Sequence, residues 1–378
     1  MTQTLLHHRT DGPDGAPALL LGPSLGTSLA VWDPQVPELA RRHRVIRYDL
    51  PGHGGTPADL LPAGATVADL ARLVLDLADH LGIDRFAHAG ISLGGAIGTH
   101  LAVHHPERVS TLALVCSSAR FGAPEDWWER ARTVRDRGTG PVADTAATRW
   151  FTRAFRDTPV ARDLVADHRA ADPTGYAACC DALAAYDLRA DLHRIDAPTL
   201  VVAGRDDPAT PPAHGRELAD HIPGATLLEI PDAAHLAGVE KPNAVLGALL
   251  DHLGPRPAAV GERVRRAVLG DDHVDRAIAR TTAFTAPFQD FITRYAWGEI
   301  WTRPGLDRRT RSCITLTALV AGGHHEELTL HIRAALRGGL TPDEIGEVLL
   351  QSAVYCGVPA ANAAFAVANR ILDNDKDS

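Results

Sequence analysis

The chain has 378 residues, about twice the usual size of one domain, which predicts two domains. Hydrophobic residues make up 45% and charged residues 22%, a balance that excludes a largely disordered or fibrous protein. The formal net charge of -9 predicts no general attraction to nucleic acid or to an anionic membrane. The chain starts without a signal-peptide pattern and has no apolar run near the roughly 18 residues of a membrane span, so we expect a cytoplasmic protein.

Short β-like runs alternate with helical stretches through residues 1–253, which is typical of a mainly parallel sheet covered by helices. Between about residues 121 and 194 this alternation stops and only helices are predicted, so we expect a helical cap there. The predicted strands are residues 18–21, 44–48, 86–91, 111–116, 199–203 and 226–230.

A Pro/Gly/Ala-rich stretch at 254–261 predicts a linker, and residues 262–378 predict a second, wholly helical domain. Thr341 and Glu344 predict a capping box at the start of one of its helices. The five cysteines are scattered and form no CxxC pair, so neither a disulfide framework nor a metal site is expected. The helices of this domain are predicted at 262–269, 274–281, 286–299, 307–321, 325–337, 342–355 and 359–372.

Gly90-Ile91-Ser92-Leu93-Gly94 lies between a predicted strand and a predicted helix, which is the context of a nucleophile elbow. In an elbow the serine occupies a tight, strained turn, and the two glycines allow backbones to pass closely. Asp206 and Asp207 follow a later strand and compete for the role of the acid, and His235 follows the next strand. The order Ser, Asp, His at strand ends predicts a hydrolytic triad.

In such a triad His235 removes the proton of Ser92 while backbone N–H groups bind the oxyanion that develops on the substrate. Leu93, which follows the serine, supplies one N–H group. The turn after the first predicted strand supplies the other, and Leu25 is its candidate.

Residues 1–253 resemble the α/β-hydrolase superfamily and, within it, the 3-oxoadipate enol-lactonases. The resemblance implies a Ser92, Asp207 and His235 triad, with Asp206 as an exposed turn residue, and a small-molecule lactone substrate. It rests on the serine motif together with Ser24-Leu25-Gly26-Thr27, Val31-Trp32-Asp33-Pro34-Gln35 and Asp49-Leu50-Pro51-Gly52-His53-Gly54.

An enol-lactone suits a serine nucleophile, because the leaving group is an enolate that becomes a ketone. The carboxylate of this substrate requires a cation. Arg149 and Arg153 in the predicted cap are candidates, and solvated helix faces explain both arginines equally well.

In the second domain Glu327 and His331 stand four residues apart on a predicted helix, so they share a face and could share a proton. An exposed pair on an amphipathic helix is the alternative. This domain resembles the 4-carboxymuconolactone decarboxylases. In the related thiol peroxidases a CxxC motif precedes the histidine. In this chain His324 and Glu327 occupy the positions of the two cysteines, which disfavours peroxidase chemistry. The resemblance rests on segments 281–285, 295–301, 325–331 and 355–362.

This second resemblance implies decarboxylation without a cofactor, because the lactone carbonyl of the substrate itself accepts the electrons. It implies His331 as proton donor and Glu327 as its partner, with Arg333, Arg311 and His325 as candidate contacts of the substrate's carboxylate. It also implies a homo-oligomer formed through the C-terminal domain.

The two halves resemble enzymes of consecutive steps, since the decarboxylase forms the enol-lactone that the lactonase hydrolyses. The sequence therefore predicts a bifunctional enzyme of the β-ketoadipate pathway, which degrades protocatechuate. The alternative is a general esterase or cofactor-free perhydrolase fused to a non-catalytic helical assembly domain.

Overall fold

A computed structural model of the chain describes residues 4–254 and 257–374. The chain divides into two compact units, Met1–Gly254 and Pro255–Ser378. Residues 255 and 256 of the predicted linker lie outside the described residues, and a helix begins directly after them at Pro257. The helical unit therefore starts before the predicted residue 262.

The first unit is built on one seven-stranded sheet with the order β1-β3-β2-β4-β5-β6-β7. β1 pairs with β3 antiparallel, and all other neighbouring pairs are parallel. β1 was not predicted, because it is polar and lies at a sheet edge, where no apolar pattern marks a strand. The strands are β1 His8–Asp11, β2 Ala18–Gly22, β3 Arg44–Tyr48, β4 Phe86–Ile91, β5 Val109–Val115, β6 Thr199–Gly204 and β7 Thr226–Ile230.

Helices cover both faces of this sheet, as the apolar pattern of its central strands requires. In β2, Leu20 packs into one buried cluster, while Leu19 and Leu21 pack into the cluster on the opposite face. The fold class is confirmed as α/β. The α-helices of this unit are α1 Val36–Leu39, α2 Val67–His80, α3 Leu93–His104, α4 Pro124–Arg137, α5 Gly140–Ala143, α6 Ala146–Trp150, α7 Pro159–Ala170, α8 Pro173–Ala184, α9 Pro212–His221, α10 Ala237–Glu240 and α11 Pro242–Leu253.

The segment between β5 and β6 carries the five α-helices α4 to α8, a short 3-10 helix at Leu192–Arg194 and, among its described residues, no strand. We call residues 121–194 the cap. α4 packs against α8. Tyr176, Cys179 and Cys180 of α8 are buried in the same cluster as Leu93 of α3, so the cap is packed onto the sheet unit beside the serine motif.

The second unit is helical throughout its described residues and has its own apolar clusters. A capping box begins the helix after Thr341, as predicted. Residues 293–300 form a π-helix where an α-helix was predicted. None of the described helices of either unit has the length and hydropathy needed to cross a membrane. The helices are α12 Pro257–Leu269, α13 Asp271–Ala279, α14 Ala286–Ile292, the π-helix Thr293–Ile300, α15 Arg308–Gly322, α16 His325–Arg337, α17 Pro342–Cys356 and α18 Val358–Asn374.

Candidate active site

Ser92 lies on a sharp turn between β4 and α3, with a φ of 54° that non-glycine residues rarely adopt. The backbones around it pass too closely for larger residues. A Cβ on Gly90 would lie 2.2 Å from the carbonyl carbon of Gly94, and a Cβ on Gly94 would lie 2.4 Å from the oxygen of Gly22. The glycine spacing of the motif therefore has a steric cause, and it presents Ser92 at the end of β4.

Asp207 and His235 come from the loops after β6 and β7 and form a buried pair. Asp207 Oδ2 lies 2.8 Å from His235 Nδ1, and both side chains are almost fully buried. The carboxylate also accepts hydrogen bonds from the N–H groups of Ala209 at 2.7 Å and Thr210 at 3.0 Å, and from the Thr210 hydroxyl at 2.7 Å. Asp206 is exposed. The structure thus brings Asp207, and not Asp206, to the histidine.

The surroundings of Asp207 favour its charged form. Burial alone would raise the pKa of this carboxyl group, but His235 and the hydrogen bonds from His235 and Thr210 outweigh burial and hold the pKa below its ordinary value. An ionised Asp207 fixes the proton of the imidazole on Nδ1, so that Nε2 is free to act as a base.

Glu240 anchors the loop that carries His235, a role that sequence reasoning missed. Its carboxylate accepts the Ala234 N–H at 2.6 Å and, on its other oxygen, the Thr152 N–H at 2.9 Å and hydroxyl at 2.7 Å. Glu240 thereby ties this loop to the cap. No motif marks it in the sequence, because its partners are 6 and 88 residues away.

The two predicted oxyanion donors lie on turns that are tied together. Leu93 begins α3, so its N–H is one of the first-turn donors without an acceptor inside the helix. Leu25 lies on the turn after β2. The Gly94 N–H donates to the Pro23 carbonyl at 3.1 Å and holds this turn against the elbow.

His53 fixes the same turn from the opposite side. Its Nε2 accepts the Gly26 N–H at 3.0 Å, and its Nδ1 lies 2.9 Å from the Pro51 carbonyl. Because Nε2 is the acceptor, the proton is on Nδ1. Burial lowers the pKa of His53, against the opposing effects of the Pro51 carbonyl and two nearby aspartates, which keeps the ring in this neutral form.

A cavity of about 400 Å³ brings these elements together beneath the cap. Ser92 and His235 line it with Leu25, so the predicted nucleophile, the predicted base and one predicted oxyanion donor share the same cavity. The cap contributes aromatic and basic side chains to the same wall. These are Phe121, Trp127, Arg130, Arg149, Trp150, His168 and Tyr176.

Of the two predicted arginines, only Arg149 lines the cavity. Its Nη2 donates to the Val142 carbonyl at 3.0 Å, and burial, followed by the charge of Arg130, lowers the pKa of Arg149 to about 10. Arg153 is exposed, lies beyond the end of α6 and is not among the residues that line this cavity, and its contact with substrate stays a prediction.

Arg130 was missed by sequence reasoning. Its guanidinium lies 4.8 Å from the centre of the Trp127 ring, one helical turn earlier on α4. This i, i+3 pairing of an aromatic residue and an arginine was the available signal. Among the described residues neither Arg130 nor Arg149 forms an ion pair within 4 Å. Asp126 lines the same cavity, so two cations and one carboxylate face it without being paired.

In the second unit Glu327 and His331 lie one turn apart on α16. His331 is half-buried and stacks on Trp297 of the π-helix, with ring centres 6.5 Å apart and planes 3° apart. Burial, followed by the nearby His273, lowers the pKa of His331, while Glu327 raises it. Glu327 itself is exposed. The pair is near enough to interact electrostatically and remains open to solvent.

Among the described residues no hydrogen bond or ion pair joins His331 to the predicted anion contacts. Arg333 is exposed and follows His331 by two residues, which places it about 200° around the helix. His325 is exposed as well, and Arg311 donates to the Arg303 carbonyl at 2.8 Å. Arg333 as a contact of the same substrate as His331 therefore stays a prediction.

Comparison with known proteins assigns a family to each unit. Residues 17–242 match the alpha/beta hydrolase fold family, and residues 286–370 match the carboxymuconolactone decarboxylase family. The chain belongs to the α/β-hydrolase fold family, and its helical unit belongs to the carboxymuconolactone decarboxylase family. The prediction of a fusion of two enzyme domains, one of a hydrolase and one of a decarboxylase type, is confirmed.

Similar proteins cover each unit in turn. A 3-oxoadipate enol-lactonase of Acinetobacter baylyi is 41% identical over 241 residues, which are 63% of this chain and 89% of that protein. A 4-carboxymuconolactone decarboxylase of the same organism is 46% identical over 112 residues, 30% of this chain and 84% of that protein. The crystal structure of the enol-lactonase from Burkholderia xenovorans LB400 has a TM-score of 0.64 at 39% identity and covers 66% of this chain and 96% of that one.

Proposed function

We propose that the chain is a bifunctional enzyme that decarboxylates 4-carboxymuconolactone to 3-oxoadipate enol-lactone and hydrolyses the enol-lactone to 3-oxoadipate. These are consecutive steps of the β-ketoadipate pathway of protocatechuate catabolism. The observation that carries the hydrolytic half is the single cavity that Ser92 and His235 share, with Asp207 hydrogen-bonded behind the histidine at 2.8 Å. The similarity of the second unit to a decarboxylase supports the other half.

In the hydrolytic step Ser92 Oγ attacks the lactone carbonyl while His235 Nε2 takes its proton, and the Leu25 and Leu93 N–H groups bind the oxyanion. The ring C–O bond then breaks, and His235 protonates the leaving enolate, which becomes a ketone. Water, activated by His235, hydrolyses the acyl-serine and releases the dicarboxylate. Asp207 holds the imidazole and stabilises its charged form in both stages.

The carboxylate of the enol-lactone binds to Arg149. This guanidinium faces the cavity and has no acidic partner within 4 Å among the described residues. A substrate carboxylate therefore pairs with a cation that has no ion-pair partner, in a space that aromatic side chains and Asp126 also line.

In the decarboxylation step the bond from the ring carbon to the carboxylate breaks and CO2 leaves. The electron pair delocalises through the ring double bond onto the lactone carbonyl, and His331, with Glu327 beside it, returns a proton to carbon. His331 stacked on Trp297 supplies an apolar surface that desolvates the departing carboxylate.

The helical unit assembles with further copies of this chain. Large apolar side chains are exposed on it, including Phe284 at 92%, Tyr355 at 79% and Val354 at 74%. An exposed apolar surface of this kind marks an association site. A second copy beside α16 also covers Glu327 and brings further anion contacts to His331.

To test this proposal, 4-carboxymuconolactone is added to the full chain, and CO2, enol-lactone and 3-oxoadipate are measured by NMR in one tube. The wild type releases CO2 and 3-oxoadipate. Ser92→Ala still releases CO2 but accumulates enol-lactone, whereas His331→Ala releases no CO2 yet still opens added enol-lactone. If the wild type turns over neither compound, the proposed function is wrong.

A matched pair of variants tests the acid of the triad. Asp207→Asn lowers the rate of lactone opening about 10³- to 10⁴-fold, because the histidine loses its orienting charge. Asp206→Asn, one residue earlier and exposed, keeps the wild-type rate. Equal losses in the two variants would contradict the assignment.

A further inference from the structure

One wall of the hydrolase cavity carries a histidine that the triad does not use. His168 of α7 is 1% exposed and lines the cavity with Ser92 and His235. Neither of its ring nitrogens has a hydrogen-bond partner among the described residues. Buried polar groups almost always have partners, so a ring with two unpartnered nitrogens is an exception that calls for an explanation.

Packing fixes the orientation of this ring. His168 lies between the rings of Trp150 at 5.0 Å and Tyr176 at 5.1 Å, with interplanar angles of 25° and 23°. A Cβ on Gly26 would lie 2.8 Å from His168 Cδ2 and 3.0 Å from Nε2. The imidazole is therefore packed between two aromatic faces and beside the turn that carries Leu25 and Gly26.

His168 is neutral at physiological pH. Burial, followed by the charges of Arg149, His53 and Arg130, lowers the pKa of His168 to about 3. A neutral imidazole offers one N–H donor and one acceptor. The nearby arginines that keep it neutral also attract an anion, and an anion accepts the hydrogen bond that the N–H group offers.

We propose that His168 recognises the carboxylate of the lactone substrate, donating a ring N–H to an oxygen of the same carboxylate that Arg149 neutralises. This inference rests on the proposed lactone hydrolysis. It makes His168 a specificity-determining residue, because a neutral ester of similar shape leaves its donor unsatisfied in a buried wall.

Two variants separate the nitrogens of His168 from its ring. His168→Phe keeps an aromatic ring between Trp150 and Tyr176 and removes both nitrogens. His168→Gln keeps an amide donor and removes the ring. The assay measures KM and kcat of the full chain for the enol-lactone and for its methyl ester, in which the carboxylate is neutral, together with the melting temperature.

We expect His168→Phe to raise KM for the enol-lactone about 10- to 100-fold, the effect of losing a hydrogen bond to a charged group. This rise exceeds the rise for the methyl ester by at least about tenfold. His168→Gln recovers part of the loss. The melting temperature of His168→Phe is equal to or above that of the wild type, since the variant buries no unsatisfied nitrogen, whereas that of His168→Gln is lower.

If His168 has only a structural role, His168→Phe keeps the wild-type activity and melting temperature because it keeps an aromatic ring. His168→Gln then lowers both. Equal KM values for wild type and His168→Phe, or equal losses on lactone and methyl ester, overturn the proposal. Calorimetric binding of adipate, a plain dicarboxylate, to Ser92→Ala with and without His168→Phe needs no turnover. Weaker adipate binding in the double variant supports the carboxylate contact, even if the wild type opens no lactone. A wild type that opens no lactone contradicts only the proposed function.

Discussion

The surroundings of His331 set the pH at which this side chain can carry a proton. Its pKa is lowered by burial and by His273 and raised by Glu327, so the protonated form predominates only below the ordinary value of 6.5. If His331 delivers the proton, kcat for CO2 release increases as the pH falls through this pKa. Glu327→Gln removes the raising charge and moves that transition to lower pH.

The measurement is the pH profile of kcat for CO2 release in the wild type and in Glu327→Gln. Glu326→Gln is the matched control, since Glu326 precedes Glu327 in the first turn of α16 and is exposed as well. Its profile stays at the wild-type position. A profile that shifts equally in both variants would reflect net charge, and the pairing of Glu327 with His331 would then be wrong.

For single residues, the sequence predicted which types of side chain form the candidate site better than it predicted which of them are buried there. Asp206 and Asp207 are chemically identical neighbours, and only burial beside His235 distinguishes them. Arg149 and Arg153 differ in the same way. His168 carries no spacing signal at all, because its partners in the aromatic stack come from other helices. Arg333 stands two residues from His331, so helical periodicity already predicts that the two side chains point away from each other within one chain.

Among the elements, the turn between β4 and α3 is the least tolerant of added volume. Gly94→Ala would place a Cβ 2.4 Å from the Gly22 oxygen, a backbone atom of the neighbouring β2 strand. We expect a loss of about 3 kcal/mol or more in the free energy of unfolding and a loss of lactone opening, because the elbow must shift.

Gly247→Ala is the matched control for this substitution. Gly247 lies within α11, and a Cβ there would meet no atom within 4 Å. Alanine at this position raises the free energy of unfolding by up to about 1 kcal/mol through helix propensity. Urea unfolding and the rate of lactone opening measure both variants. A Gly94→Ala protein as stable and active as the wild type would contradict the close approach.

Element prediction succeeded where burial produces an apolar pattern. β3, β4 and β7 have the predicted bounds, whereas β5 begins two residues earlier than predicted. The π-helix was predicted as an α-helix, because the two share nearly the same apolar spacing over eight residues. The π-helix begins at Thr293, whose carbonyl oxygen packs closely against Gly261 of α12. A Cβ on Gly261 would lie 1.9 Å from this oxygen, and no local sequence pattern predicts such a contact.

For the whole molecule, the exposed apolar side chains of the helical unit predict self-association. Val354→Asp combined with Tyr355→Asp introduces charge at side chains that are 74% and 79% exposed. We expect these changes to reduce the oligomer to smaller species and to lower CO2 release more than lactone opening. Light scattering after size-exclusion chromatography measures the mass.

Val160→Asp is the control for this prediction. Val160 is 49% exposed and lies in the first turn of α7, where an acidic residue is favourable. This variant keeps the mass of the wild type. A wild-type protein that elutes as a monomer, or a double variant of unchanged mass, would contradict the proposed assembly.

Residues from two layers meet in the hydrolase cavity: the sheet loops provide Ser92 and His235, and the inserted helices provide Arg149 and His168. The inserted segment is bounded by β5 and β6, so its replacement leaves the order of the strands intact. Exchange of this segment would replace the residues that face the substrate and would also remove the Thr152 contacts of Glu240, so the two layers can change only together.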